Sequence, residues 1–247
     1  MAPRAPASAV PDVSVVVPVF DEGGNAPALA REIAAAFAGR NYEMVFVDDA
    51  SRDDTRALLV ALKAELPQLR VVAHANNSGQ SRAVRTGILA ARAPIVVTLD
   101  GDGQNDPADA PGLVDALAAG PPELTLVGGE RVKRQDTIWK KWASRIGNGV
   151  RKRLLKDTCN DTGCGIKAMR RDAFLRLPYF DHIHRYIPAL MLREGYQVAF
   201  RPVNHRPRGE GVSKYTNLGR LWASMSDLFG VMWLQTRGRN PQRVDEV

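Results

Sequence analysis

The sequence predicts an α/β fold in which helices flank a mainly parallel central sheet. Short runs rich in β-branched residues alternate with helix-like stretches, an arrangement typical of right-handed βαβ units. The first run contains three consecutive valines, as expected for a strand buried on both faces of a sheet. The predicted strands of the first half are Val13–Val19, Glu43–Val47, Arg70–His74, Ile95–Leu99 and Leu124–Val127.

The intervening stretches carry the helical signal. They are Ala26–Phe37, Asp54–Glu65, Ser81–Arg92 and Ala108–Leu117. The second half is less regular, and we expect the following elements there: a basic helix over Trp139–Leu155, a loop leading into a strand over Asn160–Met169, a helix over Ile187–Glu194, a strand over Gln197–Val203 and a final helix over Leu218–Gln235.

The amino-acid composition limits the classes of protein to which the chain can belong. The chain has 247 residues, of which 45% are hydrophobic and 25% charged, so a folded globular chain is expected. Its net charge of +7 suits an anionic partner such as a nucleotide phosphate, a nucleic acid or a membrane surface. Cys159 and Cys164 lack the spacing of a zinc finger, and such sparse cysteine use fits a reducing cytoplasm.

The expected organisation is one main α/β domain with short flanking segments. Residues 1–11, rich in Ala and Pro, are predicted to be a flexible tail. Residues 12–215 form the predicted main domain, and residues 216–247 a C-terminal amphipathic helix with a basic tail. No run of 18 apolar residues occurs, so no membrane-spanning helix is expected.

Four predicted strands end in polar, turn-prone segments. Because parallel strands present their carboxyl ends to one edge of a sheet, these segments should meet there and form a ligand site. An isolated polar loop often only turns the chain, but four at one edge favour a site. The segments are Phe20–Asn25, Asp48–Ser51, Asn76–Gly79 and Asp100–Gln104.

The last of these segments has the features of a metal site. Asp100 and Asp102 are separated by one glycine and follow a predicted strand, and Gln104 adds a further oxygen. Oxygen ligands of this kind hold hard divalent cations. We therefore predict that Asp100, Asp102 and Gln104 bind Mg²⁺ or Mn²⁺, which would bridge the phosphates of a nucleotide-sugar.

Together the four segments resemble the family 2 glycosyltransferases, which have the GT-A fold. The resemblance lies in motif order and spacing over most of the chain, in the runs Val15–Asn25, Val45–Thr55, Asn77–Ala83 and Leu99–Gln104. It implies that Pro18, Phe20 and Glu22 line the nucleotide pocket and that Asp48 or Asp49 binds the base. Asp100, Asp102 and Gln104 would then hold the metal and the diphosphate.

The second half resembles the polyprenyl-phosphate branch of that family, the dolichol-phosphate mannosyltransferase type. Gly129–Arg131 is similar to a Gly-x-Arg motif whose arginine lies near the phosphates. Asp161–Lys167 resembles the acceptor loop, and Arg206–Tyr215 resembles a segment that caps the diphosphate and meets the lipid phosphate. The resemblance implies transfer of a hexose such as mannose or glucose from a GDP- or UDP-sugar to polyprenyl phosphate.

The chemistry of such a transfer needs cations more than a base. A lipid phosphate is already anionic at neutral pH because its second pKa is about 6. The predicted catalytic residues are therefore Asp102 and four cationic residues, which are Arg131, Lys167, Arg208 and Lys214. Ser213 is predicted to bind the nucleotide-sugar. No nucleophile–base arrangement is evident, so we expect one inverting displacement.

The C-terminal helix suggests where the enzyme works. Apolar residues recur at helical spacing from Leu218 to Trp233, and Arg237 and Arg239 follow. Such a helix suits a membrane interface, although packing against the core explains the pattern equally well. Many members of the branch continue into transmembrane helices and this sequence has none, so we expect peripheral attachment to the inner membrane face or docking onto a membrane protein.

Two other functions are compatible with these residues. In the first, the chain is a glycosyltransferase that acts on a non-lipid glycan, although the Gln-x-x-Arg-Trp motif of processive synthases is absent. Alternatively, the chain would be a non-catalytic binding module, which the intact Asp100 and Asp102 argue against. Nucleic-acid binding has no recognisable motif to support it.

Overall fold

The computed structural model describes residues 10–132, 149, 151–155, 157, 159–206 and 217–238. Its centre is a seven-stranded sheet. The strands are β1 (Val13–Val19), β2 (Tyr42–Asp48), β3 (Leu69–Ala73), β4 (Ile95–Thr98), β5 (Leu124–Arg131), β6 (Lys167–Arg170) and β7 (Gln197–Val203). All six strands predicted with bounds are present, with ends that differ from the predictions by at most a few residues.

The sheet has the order β3-β2-β1-β4-β6-β5-β7. Parallel pairing joins β3, β2, β1 and β4, and β5 is parallel to β7. Strand β6 runs antiparallel to both of its neighbours, β4 and β5. The prediction of a mainly parallel α/β sheet is therefore confirmed, with one reversed strand near the centre.

Seven α-helices with described bounds connect or flank these strands. They are α1 (Ala26–Ala36), α2 (Thr55–Leu62), α3 (Gln80–Ala90), α4 (Ala110–Ala118), α5 (Arg171–Leu175), α6 (Ile187–Arg193) and α7 (Asn217–Arg237). Short 3₁₀ turns occur at Pro107–Asp109 and Ile183–Arg185. Most of the predicted basic helix over Trp139–Leu155 lies outside the described residues, which include a helical stretch at residues 151–155.

Alternate residues of β1 face opposite sides of the sheet, and both sides are covered. Val15 and Val17 belong to one apolar cluster, which also contains residues of α1, α2 and α4. Val16 belongs to a second cluster, built with α3, α5, α6 and α7. All three valines are fully buried, which explains why this strand is a continuous apolar run rather than an alternating one.

The proposed division into tail, main domain and C-terminal segment stays a prediction.

Helix α3 packs on the sheet through a glycine. A Cβ atom added at Gly87 would lie 2.4 Å from Cγ1 of Val16 and 3.0 Å from Cγ2 of Val47. Any side chain there would push α3 away from the sheet, and the first turn of α3 contributes to the site described below. Gly87 thus sets the distance between the helix and the strand ends.

Gly87→Ala should destabilise the fold by about 1–3 kcal/mol, because overpacking forces side chains and backbone to shift. Gly112→Ala is the matched control, since nothing lies within 4 Å of a Cβ added at that helical position. It should be neutral or stabilising by up to about 1 kcal/mol, because alanine is the better helix former. Thermal unfolding of the two variants checks this, and an equal effect of both would contradict it.

Candidate active site

The loops after β1 and β2 are joined by hydrogen bonds. The backbone N–H of Asp21 donates to Ser51 Oγ at 3.0 Å, and the N–H of Arg52 donates to Asp21 Oδ1 at 2.7 Å. The N–H of Glu22 donates to Thr55 Oγ1 at 2.9 Å. These bonds hold Asp21 at φ 51°, an uncommon conformation for a residue other than glycine. The predicted convergence of these two segments at the sheet edge is confirmed.

Asp49 joins the loop after β2 to the loop after β3. Its carboxylate accepts the backbone N–H groups of Ser78 and Gly79, both at 2.8 Å, and lies 2.7 Å from Nδ1 of His74. Asp48 accepts the N–H of Ser51 at 3.1 Å and pairs with Arg56 Nε at 2.7 Å. Both aspartates are buried and shape the loops. Their predicted role in base binding stays a prediction.

The three residues predicted to line the nucleotide pocket lie at the same edge. Pro18 is buried, and its carbonyl oxygen lies 2.6 Å from a Cβ added at Gly101, so the loop after β4 packs closely against the end of β1. Phe20 is half-buried, with the Arg52 guanidinium 5.9 Å from its ring centre. Glu22 Oε2 accepts a hydrogen bond from Asn25 Nδ2 at 2.8 Å. Their contact with a nucleotide stays a prediction.

Asp100 follows β4 and lines a pocket. Its Oδ1 accepts a hydrogen bond from Gln80 Nε2 at 2.8 Å, and its N–H donates to Asn105 Oδ1 at 3.0 Å. Enclosure by protein, followed by repulsion from Asp102, raises the pKa of Asp100 to about 6, although Lys167 and Arg131 act in the opposite direction. A nearby cation would favour the ionised form of this carboxyl group.

Asp102 is half-buried and accepts the backbone N–H of Gln104 at 3.1 Å, which closes a tight turn. The oxygen chemistry of Asp100 and Asp102 fits Mg²⁺ or Mn²⁺, and the charge repulsion between them favours such an ion. No cluster of three or more His, Cys, Asp or Glu side chains suited to a metal occurs among the described residues. A cation here would therefore complete its coordination with Gln104, phosphate or water.

Two predicted cations face the same pocket. Arg131, at the end of β5, makes a bidentate ion pair with Asp161, with Nε and Nη2 at 2.5 and 2.6 Å from the carboxylate oxygens. Lys167, at the start of β6, is buried and donates from Nζ to the carbonyl oxygen of Cys164. Both line the pocket of about 370 Å³ that also contains Asp100. The sequence-predicted Arg208, Ser213 and Lys214 lie outside the described residues.

The loop before β6, residues 161–166, reaches Asp100 through a glycine. A Cβ added at Gly165 would lie 2.1 Å from Oδ2 of Asp100 and 2.3 Å from its Cγ. The carbonyl oxygen of Gly165 accepts a hydrogen bond from Thr98 Oγ1 at 2.7 Å, which holds the loop beside β4. Only glycine leaves room for the carboxylate at this point of the loop.

Several pocket residues escaped the sequence analysis. Gln80 lies in a recognised motif, but nothing in the motif shows that its amide reaches Asp100. Asp161 was noted for its motif and not as the partner of Arg131. His184 and Arg185 line the pocket from the 3₁₀ turn, and no local pattern distinguishes them, because they reach the site only through folding.

The comparison with protein families agrees with this geometry. The family model described as glycosyl transferase family 2 matches residues 14–177, about two thirds of the 247 residues. This span contains the four polar loops, both acidic residues of the candidate metal site, Arg131 and Lys167. The chain belongs to glycosyl transferase family 2.

Relatives and solved structures extend this result. An undecaprenyl-phosphate 4-deoxy-4-formamido-L-arabinose transferase of Pseudomonas aeruginosa is 37% identical over 224 residues, which cover 89% of this chain and 65% of that protein. A dodecaprenyl-phosphate galacturonate synthase of Rhizobium johnstonii is 33% identical over 238 residues, or 93% of this chain and 69% of that one. The chain thus spans about two thirds of the length of these relatives.

A solved structure supports the fold. The crystal structure of glucosyl-3-phosphoglycerate synthase from Mycobacterium tuberculosis with Mn²⁺, UDP and glucosyl-3-phosphoglycerate aligns with a TM-score of 0.67 and 18% identity. The alignment covers 98% of this chain and 88% of that one. At this identity the likeness concerns the fold, and it confirms the predicted GT-A-like architecture.

Gly165→Ala should weaken Mn²⁺-dependent nucleotide binding at least about tenfold, because the added methyl group must displace the Asp100 carboxylate. Isothermal titration of UDP and GDP in the presence of Mn²⁺ measures this effect. Gly112→Ala, on the exposed surface of α4, serves as the control and should bind like the wild type. Unchanged affinity in Gly165→Ala would show that Asp100 does not hold the metal.

Proposed function

We propose that the protein is an inverting, metal-dependent glycosyltransferase that moves a hexose or related sugar from a nucleotide diphosphate to polyprenyl phosphate. The observation that carries this proposal is one pocket in which Asp100 faces two cations, Arg131 and Lys167. Family membership supports sugar transfer, and the two relatives named above act on undecaprenyl and dodecaprenyl phosphate according to their names. GDP- and UDP-sugars are both candidate donors.

The acidic side of the pocket would serve the donor. Asp100 and Asp102, with Gln104, would hold Mg²⁺ or Mn²⁺, and the M. tuberculosis structure contains Mn²⁺ together with UDP. The ion would neutralise the negative charge that develops on the diphosphate leaving group. Gln80 orients Asp100 through its 2.8 Å hydrogen bond, so the carboxylate is positioned before the donor binds.

The basic side of the pocket would serve the phosphates. Asp161 holds the Arg131 guanidinium at two points, which leaves its remaining N–H groups in a fixed direction. Lys167 is anchored by the Cys164 carbonyl and contributes its charge to the same cavity. These cations would overcome the repulsion between two anionic substrates. Arg208, Lys214 and Ser213 are proposed to add to this set.

The acceptor phosphate is ionised at neutral pH, so it attacks the anomeric carbon without a general base. One oxygen–carbon bond forms as the bond between that carbon and the diphosphate breaks. The configuration at the carbon therefore inverts, and the products are a lipid-linked sugar phosphate and a nucleoside diphosphate. No proton needs to move in this step.

Association with the inner membrane face is proposed on the evidence of α7. Val231 is fully buried, and Leu228, Met232 and Leu234 pack against the core, so one side of this helix belongs to the protein. The other side carries three apolar side chains at four-residue spacing that are 45–61% exposed: Met225, Phe229 and Trp233. This exposed stripe, together with the net charge of +7, suits an anionic membrane surface. Within the described residues, no helix is long and apolar enough to cross a membrane.

The central test is transfer of radiolabelled sugar into a solvent-extractable lipid. Purified protein is incubated with undecaprenyl phosphate, Mn²⁺ and a panel of GDP- and UDP-sugars. One donor should yield labelled lipid, and Asp102→Asn should lower the rate at least about 100-fold, because it removes one of the two metal-binding charges.

Asp115→Asn is the matched control, since Asp115 lies on the exposed surface of α4 and pairs with Arg40. It should retain wild-type activity. Labelled free glycan in place of labelled lipid would support the glycan-acceptor alternative. Nucleotide binding without transfer to any acceptor would support a non-catalytic binding module.

The membrane proposal predicts that Phe229→Ser combined with Trp233→Ser lowers vesicle binding about tenfold or more, because two exposed rings no longer enter the bilayer interface. Co-sedimentation with phosphatidylethanolamine–phosphatidylglycerol vesicles measures this. Leu89→Ser is the control, since Leu89 is 53% exposed but lies on α3, away from this stripe. Equal binding by all three proteins would exclude the stripe as the membrane contact.

A further inference from the structure

His184 lines the pocket from a short 3₁₀ turn. It occupies the middle of the 3₁₀ turn Ile183–Arg185, between the buried Ile183 and the buried Tyr186. His182, just before the turn, adopts φ 62° and pairs with Asp227 of α7 at 2.8 Å. The buried side chains of Ile183 and Tyr186 and the His182–Asp227 hydrogen bond hold the turn. His184 lines the same cavity as Asp100 and Lys167.

A second contact orients the ring. Nδ1 of His184 lies 2.7 Å from Oγ of Ser81, a buried residue in the first turn of α3. The preceding residue, Gln80, is the one that donates to Asp100. One turn of helix therefore positions both the candidate metal-binding carboxylate and the imidazole, so the distance between these two groups is set by the fold.

The imidazole is neutral under physiological conditions. Enclosure by protein, followed by the charges of Arg185, Lys167 and His182, lowers the pKa of His184 to about 3. A neutral ring cannot help Arg131 and Lys167 to balance phosphate charge. Its Nδ1 is engaged by Ser81, and no described residue hydrogen-bonds to Nε2. His184 is half-buried and lines the pocket, which leaves Nε2 as the ring nitrogen for an uncharged polar ligand group.

We infer that His184 is a donor-recognition residue, whose Nε2 hydrogen-bonds a hydroxyl group of the transferred sugar. Ser81 is a positioning residue that sets the orientation of the ring. The inference rests on the proposed function, since it names a contact for the sugar of the nucleotide-sugar donor. A hydroxyl group fits better than a phosphate or a sugar carboxylate. A neutral imidazole nitrogen can form one hydrogen bond with a hydroxyl, whereas it cannot balance the negative charge of a phosphate or carboxylate.

The test compares the affinities of nucleotide-sugars and of the matching nucleoside diphosphates. Isothermal titration in the presence of Mn²⁺ measures each dissociation constant. The dissociation constant of the nucleotide-sugar is then divided by that of its nucleoside diphosphate, for the pairs UDP-glucose and UDP, UDP-galacturonic acid and UDP, and GDP-mannose and GDP. His184→Ala should raise this ratio about five- to tenfold for the preferred neutral sugar, the loss expected for one hydrogen bond, and leave the diphosphate affinity unchanged. His184→Gln should recover part of the loss, and Ser81→Ala should raise the ratio by a smaller factor.

Asp115→Asn is the control, since Asp115 lies on the exposed surface of α4 and does not line the pocket. Its ratio should stay at the wild-type value. An unchanged ratio in His184→Ala, an equal loss of diphosphate affinity, or an equal rise in Asp115→Asn would overturn the inference. So would a wild-type chain that binds none of the three nucleotide-sugars.

The outcome is separate from that of the transfer assay. If no lipid product forms but the ratio responds to His184→Ala, the acceptor assignment fails and sugar recognition by His184 stands. If lipid product forms and the ratio does not respond, the proposed function stands and this inference fails.

Discussion

The site depends on the close placement of two negative charges at the end of β4. Asp100 is enclosed by protein, and Asp102 lies two residues further along. Because folding raises the pKa of Asp100 to about 6, ionisation of this group weakens the folded state as the pH rises through that value. Arg131 and Lys167 line the same pocket, and their positive charges offset part of this destabilisation. A bound divalent cation would offset it further.

The rest of the edge is organised by side chains that bond to backbone groups of neighbouring loops. Asp21 accepts from the loop after β2, and Asp49 accepts from the loop after β3. Gln80 then joins the start of α3 to Asp100. Each irregular segment is therefore held by the next one along the edge. Parallel pairing of β1 with both β2 and β4 makes this possible, because it aligns the ends from which the loops emerge.

Helix α7 shows how far a local pattern can be interpreted. Its apolar periodicity was equally compatible with core packing and with a membrane surface. In the fold it has both a buried side, with Val231, and an exposed apolar side, with Phe229 and Trp233. Leu228 and Phe229 are adjacent in the sequence, yet only the first packs against the core. The direction in which a residue faces depends on how the helix is docked, which the sequence of the helix does not specify.

Local sequence alone determined the strands and helices of the first half and the acidic candidates for the metal, because periodicity, turn residues and motif spacing act over a few residues. The alternation of strands and helices was enough to predict that the four loops meet at one edge, because parallel strands present their carboxyl ends together. Tertiary structure decided the reversed direction of β6, the pairing of Arg131 with Asp161 and the close fit of Gly165 against Asp100. It also placed His184 against Ser81, which lies 103 residues earlier in the chain. These contacts join distant segments, and their geometry exists only once the sheet and its helices have packed.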